Sequence, residues 1–208
     1  MEPEGSITTA FRLSYWQISG GPAWIDKDEY NIEAKPPESV QSSIKNLRYT
    51  LFGIEDERLR EMLRARLIDR FQLKLHREMR TGTVFTLKRN GKQLRMRPTE
   101  IPTKDDGSAP ELFGSIGYAG GTWGIFTTSM PQLAKFAADF VLHAPVVDQT
   151  GIRGSFDYRQ AVPDEEPNYT DNSDSFLRFV SEMGLKLGRS KGPVERFVID
   201  QAVKPSLD

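Results

Sequence analysis

Three segments of the chain share one pattern, in which an amphipathic helix is followed by a short apolar strand, a glycine-containing turn and a second strand. They span residues 59–89, 130–160 and 175–202. In each helix the apolar residues recur every three or four positions, and in each strand apolar and polar residues alternate. The pattern predicts an α+β fold in which repeated helix-strand-strand units form mainly antiparallel sheets covered by helices.

Local signals place the ends of two of these helices. Ser129 and Gln132 have the spacing of a capping box, and Pro131 suits a first helical turn, where its missing N–H costs nothing. Gly184 follows the third apolar stripe and can end that helix in the left-handed conformation. We therefore expect helices that begin after Ser129 and end before Gly184.

A long polar stretch separates the first unit from the other two. It begins at Asn90-Gly91 and passes through Lys-Asp-Asp-Gly-Ser, and loops of such length are unusual inside one compact domain. The sequence predicts two lobes: an N-terminal α+β lobe at residues 1–89, a connecting region at 90–122, and a C-terminal lobe at 123–208 with two of the units.

Composition excludes several classes of protein. The net charge is −1 and there is no cysteine, so no global field attracts nucleic acid, and disulfides and thiol chemistry are absent. No apolar run approaches the ~20 residues that span a bilayer. The first residues lack the basic and apolar pattern of a signal peptide, which says little about a native precursor. We expect no membrane span and no nucleic-acid partner.

The stretch 144–151, Ala-Pro-Val-Val-Asp-Gln-Thr-Gly, resembles the active-site strand of an aspartic protease. Such a protease needs two carboxylates that share one proton, and no second Asp-Thr-Gly or Asp-Ser-Gly occurs in the chain. One residue also separates Asp148 from the Thr-Gly pair. The favoured interpretation is that Asp148 accepts backbone N–H groups at a hairpin turn.

His76 and Glu78 form a His-x-Glu pair on the polar face of a predicted strand, and could offer two metal ligands. The only other histidine is His143, so a three-histidine zinc site is excluded and no metal or cofactor is expected. A second interpretation is a hydrolase whose carboxylates converge only in the fold, with Asp148, Asp157, Glu78 and His76 as its members.

An arginine run lies on the predicted solvent side of the first helix. Glu57, Glu61 and Asp69 are interleaved with it, so pairing along the helix is the default account rather than nucleic-acid binding. The run consists of Arg58, Arg60, Arg64, Arg66 and Arg70.

Aromatic residues near glycines are the candidates for recognition. A ring in such a loop can stay partly exposed and contribute strongly to binding, although burial in the core is the more common fate of tryptophan. The candidate binding residues are Tyr15, Trp16, Trp24, Tyr118 and Trp123.

Ordered motifs along almost the whole chain resemble the soil-associated protein family that is expanded in acidobacteria and catalogued as a domain of unknown function. The motifs include QISGGPAW, LRARLIDRFQLKLHRE, SMPQLAKFAADF and APVVDQTGIRGSFDY. The helix-strand-strand units are also similar to the short N-terminal domains of secretins and TonB-dependent receptors. Three features depart from the family pattern: a missing first strand, Ala144 in place of arginine, and Thr83 in place of proline.

The resemblance implies an exported, extracytoplasmic protein and no established activity. Together with the residues, it favours a non-catalytic module that binds a protein or a glycan-like ligand through loops or a sheet edge. The hydrolase with converging carboxylates is the alternative. The sequence assigns neither a specific ligand nor an oligomeric state.

Overall fold

The computed structural model describes residues 3–30, 49–50, 53–54, 57–99, 114–119, 121–161 and 172–205. Its helices are α1 (Pro3–Phe11), a 3₁₀ turn (Tyr15–Gln17), α2 (Glu57–Phe71), α3 (Met130–Phe136), which continues as a π-helical stretch (Ala137–Leu142), and α4 (Asn172–Glu182). Its strands are β1 (Ile18–Gly20), β2 (Tyr49–Thr50), β3 (Gly53–Ile54), β4 (Lys74–Arg89), β5 (Arg97–Thr99), β6 (Ser115–Ala119), β7 (Thr122–Ser129), β8 (Val146–Asp148), β9 (Ser155–Arg159) and β10 (Leu185–Gln201).

The chain divides into two compact units. The first unit combines Met1–Arg80 with Glu195–Asp208, and the second unit is Thr81–Val194. This division differs from the expected lobes at 1–89 and 123–208, because the C-terminal segment groups with the N-terminal one. The connecting region expected at 90–122 contributes β5 and β6 to the second unit's sheet.

The first unit is built on α1, α2 and the pairing of β1 with β10. This pairing is parallel and sets Ile18 opposite Phe197. Beside it, β2 and β3 form a separate antiparallel pair. The backbone N–H of Val203 donates to the carbonyl of Phe71 at 2.7 Å, so the C-terminal segment is fixed to the end of α2. One cluster of buried apolar side chains forms the hydrophobic core of this unit, and it consists of Ile7, Ala10, Ile18, Ile25, Leu67, Phe71, Leu73 and Ile199.

The second unit contains a four-stranded antiparallel sheet in the order β5-β9-β7-β6. Trp123 on β7 packs against Phe136 of α3 and against Phe176 and Phe179 of α4, with ring centroids 5.2–6.0 Å apart. Within the same unit, β8 pairs in parallel with β4, with Phe85 opposite Val146. Aromatic packing therefore joins the sheet to both helices.

The predicted α+β class is confirmed, and so is the predicted capping box. The N–H of Gln132 donates to Oγ of Ser129 at 3.4 Å, and the N–H of Ser129 donates to Oε1 of Gln132 at 2.9 Å. The sequence also predicts strands at residues 124–128 and 30–35. The first is part of β7, and the second lies outside the described residues except at Tyr30.

The turns expected inside the three repeated units are corrected by the structure. In the first and third segments β4 and β10 are each one continuous strand rather than two. A Cβ on Gly82 would lie 2.9 Å from Cγ2 of Val194, so this glycine allows a close approach between strands and makes no turn. The structure does not confirm the repetition. Antiparallel pairing joins β2–β3, β5–β9, β6–β7 and β7–β9 as expected, whereas β1 and β8 each pair in parallel.

The expected hairpin at 144–151 is also wrong. β8 pairs with β4, whereas β9 pairs with β5 and β7, so the two strands that flank Asp148 and Gly151 belong to different sheets. None of the helices in the described ranges has the length and apolar composition that crossing a bilayer requires.

A substitution at Gly184 tests how closely the loop after β4 packs on the end of α4. Its φ is +91°, and a Cβ there would lie 2.7 Å from the carbonyl oxygen of Gln93. Gly184→Ala should therefore cost the ~1–2 kcal/mol of a left-handed alanine and a further ~1–3 kcal/mol from overpacking. Urea unfolding followed by circular dichroism measures the loss.

Gly151→Ala is the matched control, because Gly151 has a φ of +67° but nothing within 4 Å of the added Cβ. It should cost only the conformational part, about 1–2 kcal/mol. Equal losses in the two variants would contradict the close packing of Gln93 on Gly184.

Candidate functional site

Asp148 ends β8 and organises the turn that follows it. Its Oδ1 accepts the backbone N–H of Thr150 at 2.9 Å, and Oγ1 of Thr150 accepts the N–H of Ile152 at 3.1 Å. These are the side-chain-to-backbone bonds of successive turns, in which Asx and Thr side chains replace backbone acceptors. The predicted backbone acceptor role of Asp148 is confirmed, although the turn leads from one sheet to the other.

Asp157 supports a bulge in β7. The register of β7 against β9 shifts between Ile125 and Thr128, and Thr127 within the bulge has a φ of +49°. A positive φ is strained for a β-branched residue. The Thr127 N–H donates to Oδ1 of Asp157 at 2.6 Å, so the carboxylate satisfies a donor that the bulge removes from the ladder. The geometry gives Asp157 a structural role.

His76 lies on β4 in the first unit with a carboxylate at each ring nitrogen. Nδ1 is 2.7 Å from Oδ1 of Asp200, and Nε2 is 3.2 Å from Oε1 of Glu78. Glu78 also accepts from Nε of Arg80 at 2.6 Å. The structure thus brings His76 and Glu78 together, as the His-x-Glu spacing suggested, and adds Asp200, which is 124 residues away in the chain.

The charges of this cluster shift the acidities of its members. Hydrogen bonds from His76 to Glu78 first, and then to Asp200, raise the pKa of the imidazole above its ordinary value. Arg80 and His76 lower the pKa of Glu78. His76 and Asp200 are nearly half exposed, so solvent screens these interactions.

The four candidate residues of the hydrolase interpretation belong to two different compact units. His76 and Glu78 belong to the first unit, whereas Asp148 and Asp157 belong to the second. In the parts of the chain that the structure describes, no three His, Asp or Glu side chains are arranged to hold a metal ion.

The arginine run of α2 is paired along the helix, but one member is not where the sequence placed it. Glu57 forms ion pairs with Arg60 and Arg64, which lower the pKa of its carboxyl group. Arg66 lies 3.9 Å from Asp69. The prediction that the whole run faces solvent is wrong for Arg60, which is only 3% exposed and is one of the buried residues of α2, together with Leu67 and Phe71.

The five aromatic candidates have different environments. Trp24 stacks on Phe71 with centroids 6.2 Å apart, and Trp123 is buried with its Nε1 donating to Oγ of Ser175 at 2.6 Å. Trp16 is partly buried, and its Nε1 has no hydrogen-bond partner among the described residues. Tyr15 and Tyr118 are 58% and 44% exposed.

A groove of about 310 Å³ lies on the β6–β7 hairpin of the second unit. Residues of both strands and Arg159 of β9 line it, and Gly117 lies opposite Gly124 across the strands. The exposed ring of Phe126 and the side chain of Arg159 are on the same face as these two glycines, since strand residues two apart or directly paired share a face. Tyr118 is paired with Trp123, so its ring packs on the opposite face of the hairpin, 5.2 Å from the Trp123 ring between centroids.

Phe126 and Arg159 were missed as candidates from the sequence. The available signal was the alternation in Thr-Trp-Gly-Ile-Phe, where Trp123 and Ile125 are buried and Phe126 takes the opposite face. An exposed apolar residue on the solvent face of a strand is a better candidate for a ligand contact than a tryptophan beside glycines.

Comparison with protein families gave one match, which covers residues 4–202 and is described as a protein of unknown function. The chain belongs to the DUF3738 family. No curated protein and no solved structure matched the chain. The functional argument for this DUF3738 protein therefore rests on its own residues.

The bulge gives a test of Asp157. In the DUF3738 chain Asp157→Ala removes the carboxylate that accepts the backbone N–H of Thr127. The free energy of unfolding should therefore fall by about 1–3 kcal/mol. Asp157→Asn keeps an acceptor oxygen and should lose less. Denaturant unfolding of the three proteins measures this order, and an equal loss in both variants would contradict the backbone bond as the main role of Asp157.

The His76 cluster gives a test by pH titration. The folded chain binds the His76 proton more tightly than the unfolded chain, because Glu78 and Asp200 stabilise the imidazolium. This contribution to stability is present below the pKa of an unfolded histidine and is lost as pH rises through the raised pKa of His76. NMR titration should place the His76 midpoint above the ordinary histidine value.

Either Glu78→Gln or Asp200→Asn should lower that midpoint. Glu195→Gln is the control, since it removes a carboxylate of the same strand as Asp200 that pairs with Arg77 instead. A His76 midpoint that stays in place in both test variants, or falls equally in the control, would rule out the two hydrogen bonds as its cause.

Proposed function

We propose that this DUF3738 chain is a non-catalytic binding module that holds a glycan-like ligand in the groove of the β6–β7 hairpin. The observation that carries the proposal is the exposed ring of Phe126 on the same face as Arg159, beside the side-chain-free positions Gly117 and Gly124. An exposed aromatic ring and a guanidinium around an open stretch of backbone in a concavity are typical of ligand sites.

The chemistry of the groove suits a carbohydrate better than a metal or a nucleotide. Aromatic rings bury the apolar C–H faces of a sugar while the ring edge remains wet, and arginine offers several hydrogen-bond donors to its hydroxyl groups. Gly117 presents no side chain, and the added Cβ that a larger residue would carry meets nothing within 4 Å, so the space above this strand is open.

The placement of the acidic candidates supports a binding role over a hydrolytic one. Both ring nitrogens of His76 are within hydrogen-bond distance of carboxylates, and Asp148 and Asp157 each accept a backbone N–H. Each of these side chains holds a structural partner, and the two aspartates belong to a different compact unit from His76 and Glu78.

The cellular setting is proposed from resemblance. The motifs similar to the soil-associated family of acidobacteria favour an extracytoplasmic protein, and the likeness to the short N-terminal domains of secretins and TonB-dependent receptors favours an interaction module. A protein partner at the same groove is the competing occupant.

A glycan microarray followed by calorimetry with the best ligand tests the proposal. Phe126→Ala should weaken binding about tenfold, which corresponds to the ~1.4 kcal/mol expected when a well-placed aromatic contact is truncated. Circular dichroism confirms that each variant is folded.

Tyr15→Ala is the control, because Tyr15 is at least as exposed as Phe126 but belongs to the first unit. It should bind like the unchanged protein. An array without any binding, or an equal loss in the Tyr15 variant, would overturn the glycan groove. Capture of a protein that photocrosslinks at position 126 would replace the glycan by a protein partner and keep the binding role.

A further inference from the structure

A second concave site lies at the end of α4, in the same unit as the groove but with a different chemistry. It has a volume of about 360 Å³ and lies between the loop after β4 and the last two turns of the helix. Its lining is charged and polar, and consists of Lys92, Gln93, Arg95, Arg178, Ser181 and Glu182.

The loop that carries half of this lining is held by hydrogen bonds to the end of α4. The N–H of Asn90 donates to the carbonyl of Gly184 at 3.1 Å, and its side-chain amide donates to the carbonyls of Ser181 and Leu185. The N–H of Arg95 donates to the carbonyl of Met183 at 3.2 Å. The backbone beneath Lys92 and Arg95 is therefore fixed before any ligand arrives, which reduces the entropic cost of binding.

The cations of the lining outnumber its one carboxylate. Arg178 lies 4.0 Å from Glu182, at the limit of an ion pair, while Lys92 and Arg95 form no ion pair with any described residue. Glu182 instead accepts from Nε2 of Gln160 at 3.1 Å and from the hydroxyl of Tyr158 at 3.4 Å. Burial, together with the neighbouring charge of Glu182, raises the pKa of Tyr158.

The attraction of cations to a helix C-terminus explains this arrangement only in part. Lys92 and Arg95 lie near the negative end of the α4 dipole, where each gains about 0.3–1 kcal/mol. Arg178, however, precedes the last turn of α4, which carries no basic residue. Three cations that converge on a cleft with free amide and hydroxyl groups are better explained by an acidic ligand.

We propose that this cleft binds a carbohydrate acid, whose carboxylate lies between Arg95 and Arg178 and whose hydroxyl groups bond to Gln93 and Ser181. Guanidinium groups match a carboxylate with two parallel hydrogen bonds, and Lys92 adds a third positive charge. Glu182 disfavours a doubly charged phosphate and can accept from a sugar hydroxyl. The inference is independent of the aromatic groove.

Isothermal calorimetry with glucuronate, glucose and inorganic phosphate tests the cleft. Glucuronate should bind, glucose should bind at least tenfold more weakly because it lacks the carboxylate, and phosphate should be the weaker of the two anions. The double variant Arg95→Gln/Arg178→Gln should reduce glucuronate affinity at least tenfold. Lys92→Gln, a change at an exposed loop position, should reduce it by a smaller factor.

Arg153→Gln is the matched control, since Arg153 is an exposed arginine in the same unit and lies outside the cleft. It should leave glucuronate affinity unchanged. Equal losses in this control and in Lys92→Gln would show charge attraction alone and overturn the site. Phosphate binding as tight as glucuronate binding would overturn the carbohydrate acid. Phe126→Ala should leave glucuronate binding unchanged, which separates this test from that of the groove.

Discussion

The indole of Trp123 is the contact on which the second unit depends. Its ring meets Phe136, Phe176 and Phe179, and its N–H donates to Ser175 at 2.6 Å. One side chain of β7 is thereby joined to α3 and to α4, and aromatic pairs of this kind contribute about 0.5–1.5 kcal/mol beyond the area they bury. The hydrogen bond matters for the same reason, because a buried indole N–H without a partner would cost about 1–3 kcal/mol.

The first unit depends on a different aromatic group, which the C-terminal segment completes. Trp24, Tyr30 and Phe71 form a mutual cluster with centroids 5.2–6.2 Å apart. Lys204 lies 5.8 Å from the ring centroid of Trp24 and pairs with Asp28 at 2.5 Å, so the chain end adds a cation to the face of the cluster. Residues far apart in the sequence therefore close one core, which explains why the compact units do not follow the order of the chain.

The local features of the fold could be predicted from the sequence, and the non-local ones could not. Ser129 and Gln132 are three residues apart, so their capping box is decided within one turn of helix. Glycine often makes a turn, so the local pattern predicts a turn at Gly82. In the structure Gly82 instead allows the close approach of Val194, which is more than a hundred residues later in the chain. The parallel pairing of Val146 with Phe85 likewise depends on a partner that no local pattern reveals. Loop closure over such distances is an entropic cost that only the assembled core offsets.

The features of the candidate site divide in the same way into local ones, which could be predicted from the sequence, and non-local ones, which could not. The His76–Glu78 pair and the acceptor role of Asp148 come from spacings of two residues and were visible in the sequence, whereas Asp200, the partner of Asp157 and the cleft at α4 require the fold. The carboxylates that resembled catalytic groups are the ones engaged with the protein's own backbone and histidine. The aromatic and cationic side chains without such partners in the described residues lie instead around Phe126 and Arg95. A side chain that already satisfies a structural donor gains little from a ligand, while a fixed backbone with uncommitted side chains loses little on binding. This difference is the physical ground on which we propose recognition at the surface of the second unit.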